Sequence, residues 1–152
     1  SPTLEQMDST LLITLALLGA GIIAGLVYRF FHGRGHKVVG NECISLEKLA
    51  VSKNGDPVTS FGKTATLVQF STQYCGQCPG VRRALAKLEH RHGDVLFIEA
   101  DITERLNLAA HFNITQTPTV LVLDSAGVIK YRVGGIPKPN TIEAELTKLG
   151  VK

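Results

Sequence analysis

Residues 65–78 read ATLVQFSTQYCGQC. Ala65–Ser71 is a short, apolar, β-rich run of the kind buried inside a sheet, and Cys75 and Cys78 follow it almost at once. Beyond the pair, residues 79–91 place Val81, Leu85 and Leu88 on one helical face, with Arg82, Arg83, Lys87 and Arg91 elsewhere. The cysteines therefore stand between a buried strand and the mouth of an amphipathic helix. Unpaired N–H groups and the positive end of the helix dipole favour a thiolate there, lowering a cysteine pKa from about 8.5 toward about 7 or below. Two intervening residues let both sulfurs meet within disulfide distance on the first helical turn. In this arrangement Cys75 is the exposed nucleophile and Cys78 the more buried resolving thiol.

Other uses of Cys-x-x-Cys make further demands. Half of a zinc site needs two more ligands; Cys43 and one of the five histidines can supply them, but the body holds no second such pair and no paired His. No resident metal is expected. Haem attachment needs His after the second Cys, where this chain has Pro79. An inert structural disulfide requires an oxidising compartment. Cys43 lies near the start of the body and reads as an ordinary thiol.

Outward from the motif, strand-like and helix-like segments alternate. Val95–Ala100 is a second strand, and Thr103 stands as N-cap to a short helix running to about Phe112. Thr119–Asp124 is a third strand, turned by residues 125–127 into Val128–Val133. Asn140 caps the last helix with Glu143 at the reciprocal capping-box position, and Ile142, Leu146 and Leu149 face inward. Asn54-Gly55 ahead of Asp56-Pro57 marks a tight turn, plausible as a hairpin. These elements make an α/β sheet covered by helices.

Two stretches carry a family resemblance. Thr66–Cys78 resembles the active-site strand and helix of thioredoxin, and Phe112–Thr119 (FNITQTPT) with the VLVLDSAGVIKYRVGG that follows resembles that family's Thr-Pro-Thr loop and hairpin. Order and spacing agree over residues 65–150. The resemblance implies a thioredoxin-like fold, a central mixed sheet flanked by helices. It implies a cis Thr117–Pro118 bond whose loop lies against the disulfide, with the backbone of Thr117 pairing to an extended substrate segment and metal kept off the thiols. Gly134 then lets substrate backbone approach on the opposite rim. Tyr74, in place of the family Trp, offers a flat apolar platform beside a groove that includes Gly76 and Gln77. No cofactor is implied beyond the redox-active Cys75–Cys78 disulfide.

The chain departs from the family at three further places. Gln69 stands where thioredoxins bury an Asp beneath the disulfide, and an amide neither accepts nor releases a proton near neutrality. Glu99 is then the candidate for proton handling, with a solvated strand-end carboxylate as the equal alternative. Gln77 replaces the Pro between the cysteines. Pro79 replaces a Lys, and by removing an amide donor predicts a late helix start.

The remaining signal is hydrophobic. Of 152 residues 44% are hydrophobic and only 19% charged, and mean hydropathy is +0.15; these values exclude a disordered chain. A net charge of +3 is too mild for a nucleic-acid-coating surface. The excess sits between Leu11 and Tyr28, a run without a charge. About 20 helical residues span a ~30 Å hydrocarbon core. A buried core helix would carry a polar face, and a cleaved signal peptide a basic n-region and a small-residue cleavage site; none is seen. The expectation is a tail at 1–9, a membrane helix at 10–32, a Gly-rich basic linker at 33–43 and a thioredoxin-like domain at 44–152.

Glu5 and Asp8 precede the span, whereas Arg29, Arg34 and Lys37 follow it. That bias places the domain on the cytoplasmic side, with a periplasmic or extracellular domain as the alternative. Gly21 and Gly25, with Ala16, Ala20 and Ala24, make a small-residue ridge that permits a weak homodimer, although ordinary membrane-helix composition explains it equally well. The implied partners are disulfide-containing proteins, membrane lipid and an external reductase or membrane redox protein. The chain shows no glycine-rich fingerprint with which to bind its own nucleotide. A thioredoxin fold used as a redox-inert membrane scaffold is the reading from another functional class.

Overall fold

The computed structural model describes residues 4–32 and 35–152, so Gly33 and Arg34, part of the expected linker and its flanking charge, lie outside the described residues. The chain divides into two compact units, residues 1–32 and 33–152. The first is one helix, α1 (Leu4–Phe31), which begins inside the stretch read as a tail. Gln6–Phe31 is long and apolar enough to cross a membrane, a test of length and composition that a signal sequence near an N-terminus also meets. Its large side chains from Leu11 to Phe31 are exposed.

In the second unit, five strands form one sheet in the order β1-β7-β6-β4-β5. They are β1 (Gly35–Lys37), β4 (Ala65–Ser71), β5 (Val95–Asp101), β6 (Thr119–Asp124) and β7 (Ile129–Gly134). β4 pairs parallel to β5 and antiparallel to β6, and β6 and β1 each pair antiparallel to β7. A two-residue turn at Asn54-Gly55 joins β2 (Ser52–Lys53) to β3 (Asp56–Pro57), both turn residues having positive φ as a type I′ hairpin requires. The helices are α2 (Leu46–Leu49), α3 (Cys78–Arg91), α4 (Leu106–His111) and α5 (Thr141–Lys148).

β4 is an interior strand between β5 and β6, and every one of its residues is buried. Strand alternation splits it between two cores. Ala65 and Leu67 join Val81 and Leu85 of α3 and Ile142 and Leu146 of α5 on one face. Val68 and Phe70 join Leu108, Phe112 and Ile44 on the other. Each fully buried Leu, Val or Phe contributes about 1.5–3 kcal/mol. Gln69 shares the face of Leu67, toward α3.

Four expectations are corrected. The stretch read as a linker contributes β1, whose Gly35, His36 and Lys37 pair with Val133, Arg132 and Tyr131. α3 begins at Cys78, ahead of Pro79, because a first-turn proline lacks only an N–H that has no helical partner there anyway. Arg105, not Thr103, stands at the N-cap position of α4 and makes no side-chain cap bond; the Thr103 hydroxyl is engaged elsewhere. Asn140 does precede α5, but it sits in the left-handed region (φ 63°) and its side chain makes no cap bond. Glu143 completes no capping box; its carboxylate pairs with Arg91 at 2.9 Å and faces His92 at 3.5 Å.

Candidate active site

Register brings the site residues to one end of the sheet. Ser71, the last residue of β4, pairs with Asp101 of β5; Phe70 pairs with Thr119, the first residue of β6; and Thr119 pairs with Gly134, the last of β7. The Cys loop thus leaves β4 beside the point where Thr117–Pro118 enters β6 and where β7 ends. The Thr117–Pro118 peptide bond is cis. Thr119 Oγ1 donates to Gln116 C=O at 2.7 Å, and Gly135 N–H donates to Pro118 C=O at 2.8 Å, fixing this loop from both sides.

Cys75 and Cys78 are joined as a disulfide with their Cα atoms 5.5 Å apart. Cys78, the first residue of α3, is 1% exposed. Cys75 is half-buried, and Tyr74, Gly76 and Gln77 around it are exposed. Gln77, the residue ahead of α3, offers no side-chain cap. Cys75 Sγ takes that part, accepting the Cys78 N–H at 3.2 Å. An otherwise partnerless helical N–H therefore points at the sulfur of the accessible cysteine, where the dipole also favours negative charge.

Gln69 is fully buried beneath this helix start, its Nε2 donating to Cys78 C=O at 3.1 Å. Its Oε1 has no hydrogen-bond partner among the described residues. The amide braces the backbone of the inner cysteine without being able to exchange a proton with it. Glu99 stands opposite Gln69 in register, and its carboxylate accepts from Arg82 Nε of α3 at 2.6 Å. The candidate proton-handling acid is thus engaged in an ion pair on the helix flank.

Tyr74 is 87% exposed. Pro118 is buried and Thr117 half-buried. The exposed Gln116 side chain lies over Gly134, where a Cβ would meet its Nε2.

Two residues near the site were not singled out as site residues. Gln116 lies within the quoted Phe112–Thr119 stretch, but only the register of β6 and β7 shows that it covers Gly134. Thr103 was read as a helix cap, and its hydroxyl in fact accepts the Gln73 N–H at 2.9 Å. Thr103 also donates through its hydroxyl and its amide to Asp101, and these two bonds, the hydroxyl first, hold the Asp101 carboxyl below its ordinary 3.8, with a smaller contribution from the Arg82 charge. Cys43 is exposed and free, its Sγ 3.3 Å from Ala126 C=O. Among the described residues no cluster of His, Cys, Asp and Glu is arranged to hold a metal ion.

Comparison with known proteins matches the same region. The chain is 33% identical over 91 residues to mitochondrial thioredoxin of Bos taurus, covering 57% of this chain and 52% of that protein. It is 27% identical over 81 residues to thioredoxin of Mycoplasma genitalium, covering 53% of this chain and 79% of that one. The chain thus spans about half the length of the first of these relatives. Among solved structures, thioredoxin f2 of Chlamydomonas reinhardtii superposes with a TM-score of 0.51 at 22% identity, covering 59% of this chain and 82% of that one, a likeness of fold. The thioredoxin family model matches residues 48–148. Since that span runs from ahead of the cysteine pair to beyond the cis proline and the hairpin, the chain belongs to the thioredoxin family.

Proposed function

We propose that this protein is a thiol–disulfide oxidoreductase that reduces protein disulfides and is tethered to a membrane through residues 10–32. One observation carries the chemistry: the half-buried Cys75 sulfur accepts the first N–H of α3, while Cys78 behind it is sealed from solvent. In the dithiol state, the Cys75 thiolate attacks one sulfur of a substrate disulfide. A mixed disulfide forms and the substrate's other sulfur leaves as a thiolate. Cys78, as its thiolate, then attacks Cys75 Sγ, expelling the first substrate sulfur and forming the Cys75–Cys78 disulfide. Two electrons pass to the substrate, and an external dithiol reductase or membrane redox protein returns two to the pair. The open rim of Tyr74, Gly76, Gln77 and Thr117 suits an extended protein segment.

The test is reduction of insulin disulfides by the full chain in the presence of a thiol reductant. Wild type is expected to accelerate precipitation of the insulin chains and Cys75→Ser to abolish the acceleration. Equal rates for the two would favour the redox-inert scaffold, a reading supported by the amide at Gln69 where the fold can carry an acid.

The flanking charges support a cytoplasmic domain, where the reducing thiol pool favours the dithiol form. A C-terminal reporter active only in the cytoplasm should be active when fused to Lys152, and activity of a periplasm-only reporter would reverse the orientation. The tether would raise the local concentration of the domain for membrane-proximal substrates.

A further inference from the structure

The loop that carries the nucleophile is tied down from outside the motif. Residues 72–77 leave β4 with Gln73, Tyr74, Gly76 and Gln77 exposed. In the oxidised protein the disulfide closes this loop covalently. Reduction removes that closure, and the backbone hydrogen bonds of the loop then help to hold Cys75 near the start of α3. Two of them cross to the loop after β5. Ile102 N–H donates to Ser71 C=O at 2.9 Å, four residues ahead of Cys75. Gln73 N–H donates to Thr103 Oγ1 at 2.9 Å, only two residues ahead of it.

Chemistry fixes the direction of each bond at Thr103. A backbone N–H only donates, so the Thr103 oxygen accepts from Gln73. An ionised carboxylate only accepts, so the hydroxyl proton goes to Asp101 Oδ1, 2.5 Å away. The same Oδ1 accepts the Thr103 N–H at 2.9 Å, which holds the side chain in one orientation. Hydroxyl and carboxylate form a short chain, and donation to the carboxylate strengthens the hydroxyl oxygen as an acceptor.

We propose that Thr103, oriented by Asp101, is a positioning residue for Cys75: by holding the Gln73 amide it keeps the reduced loop closed, so that the Cys75 thiolate stays on the Cys78 N–H. The proposal deepens the reading of Cys75 as nucleophile and rests on it. Neither Thr103 nor Asp101 touches the reacting sulfurs; both act through the backbone of the loop.

The experiment follows alkylation of Cys75 by iodoacetamide in the reduced full chain as a function of pH. The rate is read by mass spectrometry on the peptide carrying Cys75, so that Cys43 does not contribute. Thr103→Val keeps the side-chain shape and loses the hydroxyl. It is expected to raise the midpoint of the thiolate titration and to slow alkylation at pH 7 by about threefold to tenfold. Thr103→Ser is expected to restore the wild-type profile, which a merely structural defect would not require. Asp101→Ala leaves the hydroxyl in place but unoriented, and should shift the midpoint the same way by less; it serves if Thr103→Val does not fold.

A wild-type midpoint in Thr103→Val, or in Asp101→Ala where only that variant folds, would refute the positioning role and leave Cys75 as nucleophile. A wild-type Cys75 that titrates like an ordinary free cysteine would overturn the nucleophile reading itself, and the proposal with it.

Discussion

At Cys78 two side chains hold opposite ends of one peptide environment: Cys75 Sγ takes the N–H and Gln69 Nε2 gives to the C=O. Gln69→Ala removes the second bond and leaves a cavity under the helix start, at an expected cost of about 2–4 kcal/mol in urea unfolding. Gln69→Leu keeps most of the volume and removes the partnerless Oε1, so its cost should stay within about 1.5 kcal/mol. Both variants lose the bond to Cys78 C=O, so a Gln69→Leu chain as stable as wild type would contradict the bracing role. Asp101 gives a pH-dependent counterpart. Its carboxyl lies below 3.8 in the folded chain, so its contribution is present above that value and is lost as pH falls through the lowered one. Thr103→Val deletes the larger cause, and the Asp101 titration followed by NMR should move up toward 3.8.

The elements were legible in the sequence to the extent that their periodicity was. β4 and β6 are apolar runs with turn residues at their ends, and α3 has a clear apolar stripe, so these elements fall within a residue or so of their expected positions. β1 gave no such signal, because a three-residue edge strand of Gly, His and Lys has neither alternation nor apolar content. β1 is placed by its pairing with β7, and the Tyr131 ring lies where a Gly35 side chain would be. Gly35→Ala should therefore destabilise the domain by about 1–3 kcal/mol through displacement of that ring. An unchanged urea midpoint would return these residues to the status of a linker. The sulfurs were readable from their spacing between a strand and a helix, and the proline from the resemblance of Phe112–Thr119 to the thioredoxin loop. The tie from Thr103 to Gln73 and the cover of Gly134 by Gln116 were not, since both depend on register between distant strands.

For the whole molecule, the buried members of both cores lie, among the described residues, within residues 44–151. Residues 33–152 should accordingly fold without α1, showing a cooperative thermal transition and the β-containing circular dichroism of the sheet. Loss of that transition would mean that the helix is part of the folding unit. The proposed roles divide between the two units: exchange chemistry in the body, and an address at a membrane through residues 10–32.

In the proposed reaction Cys75 attacks substrate and Cys78 resolves the product, a division of roles that trapping reads out. Full-length Cys78→Ser, reduced and mixed with a disulfide-bonded protein such as insulin, should accumulate a covalent adduct through Cys75 that a reducing agent releases. The adduct should be absent from Cys75→Ser/Cys78→Ser. Failure of Cys78→Ser to form any adduct, or an adduct that persists without Cys75, would contradict the account.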